Sequence, residues 1–193
     1  AFDTETDMIH GHKEVIMASA AFKNQVFISV TKECIAGHAD PDTKFYNALE
    51  KYLGDIVKEH DLKVTFHIAD NQLDCLKAVF NQIHAWKPDF LAIWNIDFDL
   101  GKVFDACNKA GVSPNEIFCD PAIPPHMQYC KYKRGRTKMI TASGVVKPLP
   151  AHSQWHTLFC TASFYPIDAM SVYKLLRPGD GEEPSYKLDD ILN

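Results

Sequence analysis

Two carboxylates stand two residues apart in Asp3-Thr4-Glu5, inside a short apolar-acidic run. On a β-strand, residues i and i+2 share a face, so the two side chains would crowd together. Such a pair repels itself unless a cation offsets the charge, and a hard divalent ion such as Mg²⁺ takes oxygen donors of this kind. A further carboxylate closes the stretch Trp94-Asn95-Ile96-Asp97-Phe98-Asp99-Leu100, where an apolar strand gives way to a helix. The carboxyl ends of strands in open α/β sheets are where ligands bind. Each motif has a plain alternative. D-x-E alone is more often a solvated surface pair, and Asp99 could be a simple helix cap. An EF-hand reading of Asn95, Asp97 and Asp99 fails, because Gly101 is misplaced and position 106 is alanine.

The elements that would position these groups follow from periodicity. Residues 2–5, 14–22, 25–31, 63–69 and 89–94 read as strands, with Lys23-Asn24 as a hairpin turn between the second and third. Residues 41–60 carry Phe45, Leu49, Tyr52, Leu53 and Ile56 at helical spacing. Residues 71–85 carry Leu73, Leu76, Val79, Phe80 and Ile83, with Asp70 as the expected N-cap. A third helix is expected over 99–110, closed by Gly111. Antiparallel strands followed by β-α-β-α units predict an α/β mixed sheet flanked by helices. Residues 129–141 and 155–161 flank a connection containing Gly144, Pro148 and Pro150, and predict an extended β-hairpin or flap. A last helix is expected over 168–176, followed by a Pro- and Gly-rich loop over 177–184. The chain is expected to be one domain over 1–193, with 121–167 as the flap insertion. It starts as if in mid-strand at Ala1-Phe2-Asp3, and 185–193 opens a helix that stops short. Both ends suggest a fragment.

Composition narrows the class. The chain has 193 residues, 46% of them hydrophobic and 23% charged, which suits a globular protein with a sizeable core. No apolar run reaches the roughly 20 residues a membrane span needs, so no membrane partner is expected. No export leader opens the chain. Six scattered cysteines without a C-x-x-C pair favour free thiols over disulfides and a cytoplasmic setting. The net charge is −5, yet residues 121–167 hold no Asp or Glu and six cations: Lys131, Lys133, Arg134, Arg136, Lys138 and Lys147. The remainder therefore carries −11, the total less this +6. A basic arm on an acidic body can hold a polyanion locally, although a solvated basic hairpin would look the same.

Taken together, the two carboxylate motifs resemble the first two exonuclease motifs of family B DNA polymerases, in the bacteriophage style. Asp3 and Glu5 match the first (FDTETD), and Asn95, Phe98 and Asp99 match the second (NIDFD). Lys87-Pro88-Asp89-Phe90-Leu91 matches the approach to the second motif; FYPIDAMSVY (164–173) and SYKLDDIL (185–192) resemble the segments that follow it. Gly101-Lys102 departs from the usual Pro-Tyr. The family's third motif, Tyr-x-x-x-Asp, normally comes several dozen residues further on. Tyr186 and Asp190 have that spacing but already match the preceding segment.

The resemblance implies a ribonuclease-H-like (DnaQ-like) fold with an inserted basic β-hairpin, and two-metal hydrolysis of the 3′-terminal phosphodiester of DNA. The cofactors would be two Mg²⁺ or Mn²⁺ ions, about 3.5–4 Å apart, on Asp3, Glu5 and Asp99. Asn95 and Phe98 would meet the single-stranded 3′ end of the primer. Lys131, Lys133, Arg134, Arg136 and Lys138 would bind DNA, with Tyr129, Tyr132 and Trp155 interleaved as stacking platforms. The partners would be that DNA end and the remainder of a polymerase chain, in the cytoplasm of a bacterium or of a phage-infected host. Without its third motif, the chain alone is expected to be weakly active or inactive. Alternatives are a stand-alone exonuclease using Asp190, and an inactive ribonuclease-H-like module that only binds nucleic acid. A zinc site on His152, His156 and Cys160 is a weaker candidate, and His10 and His12 read as solvated loop residues.

Overall fold

The computed structural model describes residues 1–9, 13–37, 39–177 and 183–192. His10 and His12, and most of the expected 177–184 loop, lie outside the described residues. The chain builds a six-stranded sheet in the order β10-β5-β1-β2-β3-β4. The strands are β1 (Phe2–Thr6), β2 (Val15–Phe22), β3 (Gln25–Thr31), β4 (Lys63–Ala69), β5 (Phe90–Ile93) and β10 (Tyr165–Asp168). β1, β2 and β3 form an antiparallel meander; β4 adds in parallel to β3, and β5 and β10 add in parallel on the β1 side. The turn expected at Lys23-Asn24 closes β2 on β3, with Phe22 opposite Gln25 and Lys23 at φ 55°. The sheet is mixed and flanked by helices, as the sequence predicts.

Helices cover both faces. α2 (Gln72–Trp86) buries Cys75, Leu76, Val79, Phe80 and Ile83 against β2 and β3. Phe80 is the hub of this layer. Its ring lies 5.0 Å from Phe2, 5.1 Å from Phe118 and 6.5 Å from Phe164. α3 (Ile96–Ala110) and the short α4 (Asn115–Phe118) complete the same side. α1 (Pro41–Glu59) packs on β4 through Phe45, stacked 4.0 Å over Phe66. Phe66 pairs with Ile28, next to the buried Ser29 that faces α2, so α1 covers the opposite face.

The structure corrects several expectations. The N-cap of α2 is Asn71, whose side chain accepts the Asp74 N–H at 3.0 Å, while Asp70 pairs with Lys32. The apolar stripe of α1 is real, but Tyr52, Leu53 and Ile56 face solvent. α3 starts at Ile96, so Asp99 lies inside its first turn and not at its cap. The helix expected over 168–176 is present as α5 (Ala169–Leu176), with the Asp168 side chain as its N-cap, while residues 165–168 before it form β10 at the sheet edge. Residues 165–167 therefore belong to the main sheet and not to the flap. The single hairpin expected in the flap is instead two nested ladders. β6 (Cys130–Lys133) pairs with β9 (Thr157–Cys160), and within that loop β7 (Lys138–Ile140) pairs with β8 (Val146–Pro148). A final short helix, α6, spans Leu188–Leu192. Among the described residues no helix is long and apolar enough to cross a membrane.

Phe80→Ala is expected to lower unfolding stability by about 3–5 kcal/mol, through lost burial and the cavity left among three rings. Leu53→Ala on the open face of α1 should change it by no more than about 0.5 kcal/mol. Urea unfolding of the two variants checks this, and equal effects would contradict the assigned core.

Candidate carboxylate site and basic arm

The site begins with a gap in the sheet. β5 pairs with β1 only at Phe2 opposite Ile93, and then ends. Thr4 comes next on β1. Its backbone groups point to the β5 side, because Asp3 and Glu5 are the residues whose N–H and C=O face β2. Asp99, projecting from the first turn of α3, fills the place of the missing strand. One carboxylate oxygen accepts both the Thr4 N–H at 3.1 Å and the Thr4 hydroxyl at 2.6 Å. Asp99 is only 3% exposed. Asp3 and Glu5 flank Thr4 and turn the other way, into solvent. A register shift between Glu5 and Thr6 bends the strand directly after Glu5, a feature common beside functional sites.

The electrostatics of this corner are unfavourable in the bare protein. Burial pushes the Asp99 carboxyl up to about 7, and the charges of Asp3 and Glu5 add to the rise, against the two hydrogen bonds from Thr4. Partial desolvation also raises the Asp3 carboxyl, against the lowering effect of the Thr4 backbone N–H. Hard oxygen donors that repel one another suit a divalent cation. Even so, among the described residues no three His, Cys, Asp or Glu side chains converge closely enough to hold a metal. The structure brings Asp3, Glu5 and Asp99 to one corner without closing them into a donor cage.

The same turn of α3 presents a second carboxylate to the arm. Asp97 accepts the Tyr132 hydroxyl at 2.6 Å and the Arg134 Nε–H at 3.1 Å. Burial and the Asp97 charge hold the Tyr132 phenol well above its ordinary range. His156 stacks on Tyr132 with ring centres 6.0 Å apart, accepts the Gly135 N–H at Nδ1, and donates from Nε2 to Gln154. Sequence reading gave Asp97 no role. The signal available was its position: two residues from Asp99, it must project from nearly the opposite side of the helix.

The other expected residues separate into two groups. Asn95 turns the chain in the left-handed region (φ 50°) and caps α3 without a side-chain hydrogen bond. With Phe98, Lys102 and Gln154 it lines a cleft of about 450 Å³ between α3 and the base of the arm. Phe98 is exposed, with the Lys102 ammonium 5.3 Å from its ring centre. Lys131, Lys133, Arg136 and Lys138 are exposed on the arm, while Arg134 is engaged by Asp97. Of the aromatics expected as platforms, Tyr132 is consumed in packing, whereas Tyr129 and Trp155 are open. Tyr186 packs tilted against His152 with ring centres 3.9 Å apart, and its carbonyl accepts the Trp94 indole N–H. Asp190 lines a different cleft, with Glu183 and Ser185. Cys160 stands opposite Cys130 across β6 and β9, and among the described residues His152, His156 and Cys160 do not form a three-donor group, so the structure does not support the zinc candidate.

The raised Asp99 carboxyl has a measurable consequence. In the folded protein it holds its proton up to about pH 7, whereas unfolded it releases it near the ordinary aspartate value of 3.8. Asp99 therefore contributes stability that is present below pH 4 and lost as pH rises through 7. The metal-free protein should lose on the order of 2–4 kcal/mol from this group between pH 4.5 and 8. Asp99→Asn, which keeps an acceptor for Thr4, should flatten that part of the profile, as read by thermal unfolding across pH. An unchanged profile would contradict the assignment. The chain matches no protein-family model and no curated protein.

Proposed function

We propose that this chain is the 3′→5′ exonuclease part of a family B DNA polymerase, with a ribonuclease-H-like fold. The observation that carries the reading is the docking of Asp99 on Thr4. It brings the acidic residue of the second motif to the strand that bears Asp3 and Glu5. Thr4 and Asp99 are 95 residues apart in the chain, and their hydrogen bonds join the helix turn of the second motif to the strand of the first. The sheet supports the same fold, as an antiparallel meander continued by parallel strands beyond β1.

On this reading Asp3, Glu5 and Asp99 would hold Mg²⁺ or Mn²⁺, which when bound supplies an activated water and neutralises charge on the scissile phosphate. Thr4 orients Asp99 by taking one of its oxygens twice, leaving the other free. Asn95 and Phe98 lie on the same turn of α3 and would receive the terminal nucleotide of a single strand, the aromatic ring against its base. Asp97 fixes the basic arm to that turn through Tyr132 and Arg134. The partners would be a DNA 3′ end and the rest of a polymerase.

A second reading is a nucleic-acid-binding module without catalysis. It is favoured by one observation, the lack among the described residues of three donors converged on a metal position. Mn²⁺ binding followed by electron paramagnetic resonance, paired with release of the 3′ nucleotide from single-stranded DNA, separates the two. The nuclease reading expects saturable Mn²⁺ binding lost in Asp3→Asn and Asp99→Asn, with whatever weak hydrolysis the chain shows lost in the same variants. DNA binding with neither metal uptake nor hydrolysis would favour the second reading.

A further inference from the structure

β4 stands at one end of the sheet order, and its outer edge is open. The parity of its ladder fixes which groups face out. The Lys63 N–H donates to the Asn24 carbonyl, and the Ala69 carbonyl accepts the Lys32 N–H. The odd-numbered residues of β4 therefore spend their backbone groups on β3, and those of Val64, Phe66 and Ile68 point away from the sheet. Among the described residues no hydrogen bond reaches these outward groups. Edge strands are ordinarily blunted by proline, a bulge, charge or brevity. β4 runs for 7 residues in unbroken register with β3, has no proline, and carries one Lys, Lys63, at its first position. Val64, Thr65, Phe66 and Ile68 are residue types that suit a strand paired on both sides.

The helix over this edge is unfinished in the same place. α1 reaches the sheet through Phe45 on Phe66, a residue of the edge strand itself. A helix seated there has no further strand beneath its outer flank. Its apolar stripe accordingly stays open at Tyr52 and Ile56, which are 71% and 49% exposed. The sequence of β4 selects the occupant, because it is nearly symmetric about Phe66. Laid antiparallel on itself with Phe66 at a two-fold axis, Phe66 meets its own copy, Val64 meets Ile68, and Thr65 meets His67. The pairs of Val64, Phe66 and Ile68 are then the hydrogen-bonded ones, as their outward N–H and C=O groups require. On the α1 side every pair sets an apolar side chain against another. Charge is complementary as well: Lys63 lands opposite Ala69, beside Asp70 of the second copy, and no like charges stand opposite each other.

We propose that β4 is the seam of a symmetric dimer, in which a second copy of this chain adds antiparallel at Phe66 and continues the sheet across the interface. The axis is normal to the sheet, so both copies of α1 lie on one face and their open stripes come together over the seam. A self-complementary patch of this kind closes on itself and leaves no edge for further addition. The carboxylate corner and the arm take no part, so the dimer stands or falls separately from the function proposed above.

The test is the mass of the whole chain by light scattering after size exclusion, over a series of concentrations. A species of twice 21.8 kDa that dissociates on dilution is expected. Val64→Pro deletes an outward N–H that the single chain does not use, on an edge strand where proline is tolerated. It should leave the circular dichroism unchanged and raise the dissociation constant at least about 10-fold, since each copy loses a hydrogen bond across the seam. Tyr52→Asp on the α1 stripe should also weaken the dimer. Cross-linking reads the register. Thr65 and His67 of the second copy form a directly opposite pair within reach of a disulfide, whereas Thr65 and its own copy are diagonal, about 7–8 Å apart and too far. In a Cys34→Ser background, which removes the exposed native thiol, a mixture of Thr65→Cys and His67→Cys chains should link under oxidised glutathione. Either variant alone should stay unlinked. A mass of 21.8 kDa at every concentration would overturn the proposal. So would a dimer that folded Val64→Pro leaves intact, or linkage of either cysteine variant alone. Should Val64→Pro fail to fold, the cysteine mixture decides.

Discussion

Thr4 sits where the sheet runs out of strands. β5 ends at Ile93, so the Thr4 N–H, on a residue only 5% exposed, has no ladder partner. A buried donor left unpaired costs on the order of 1–3 kcal/mol. Asp99 removes that cost and takes the Thr4 hydroxyl with the same oxygen. Much of the local architecture follows. To deliver Asp99 to that height, α3 must start immediately after β5. The chain must then reverse within Trp94 and Asn95, which Asn95 does in the left-handed region that asparagine tolerates better than most residues.

Placing Asp99 against β1 also fixes where Asp97 points. Two helical residues are about 200° apart, so Asp97 is turned away from the sheet and toward the arm. One turn thus holds two carboxylates in opposite electrostatic conditions. Asp97 is answered by a guanidinium and a phenol. Asp99 is answered only by neutral donors, while Asp3 and Glu5 raise its carboxyl further. A buried acid made less acidic by its own neighbours is a poor device for stability, and such groups concentrate at functional sites. The corner can be relieved by a proton or by a cation, and the chemistry of its donors suits both.

Much of this was legible in the sequence because it is local. The β1–β3 meander follows from strand composition and from Lys23-Asn24, and α2 follows from its 3.6-residue stripe. What was hidden depends on distant partners. Tyr165-Pro166-Ile167 reads as the end of the flap, yet with Asp168 it becomes β10, because β5 offers an open parallel edge where a proline is tolerated. The stripe on α1 is as clear as that on α2, but periodicity does not say which face finds a partner. Asp70 is as good a cap as Asn71, and Lys32, far away in sequence, takes it instead. In the site, residue types pointed to Asp3, Glu5 and Asp99. Nothing marked Thr4 as the residue that joins them, and Arg134 was counted for DNA although Asp97 engages it.

The arm and the corner are therefore not independent additions to the fold. Tyr132 and Arg134 hold β6 to Asp97, and Asp99, two residues on, holds the same turn to β1. Beside these attachments are Asn95 and Phe98, which help line the cleft toward the base of the arm. A shift of the first turn of α3 would strain one anchor or the other, because each is a hydrogen bond of 2.6 Å, one to β1 and one to β6 of the arm.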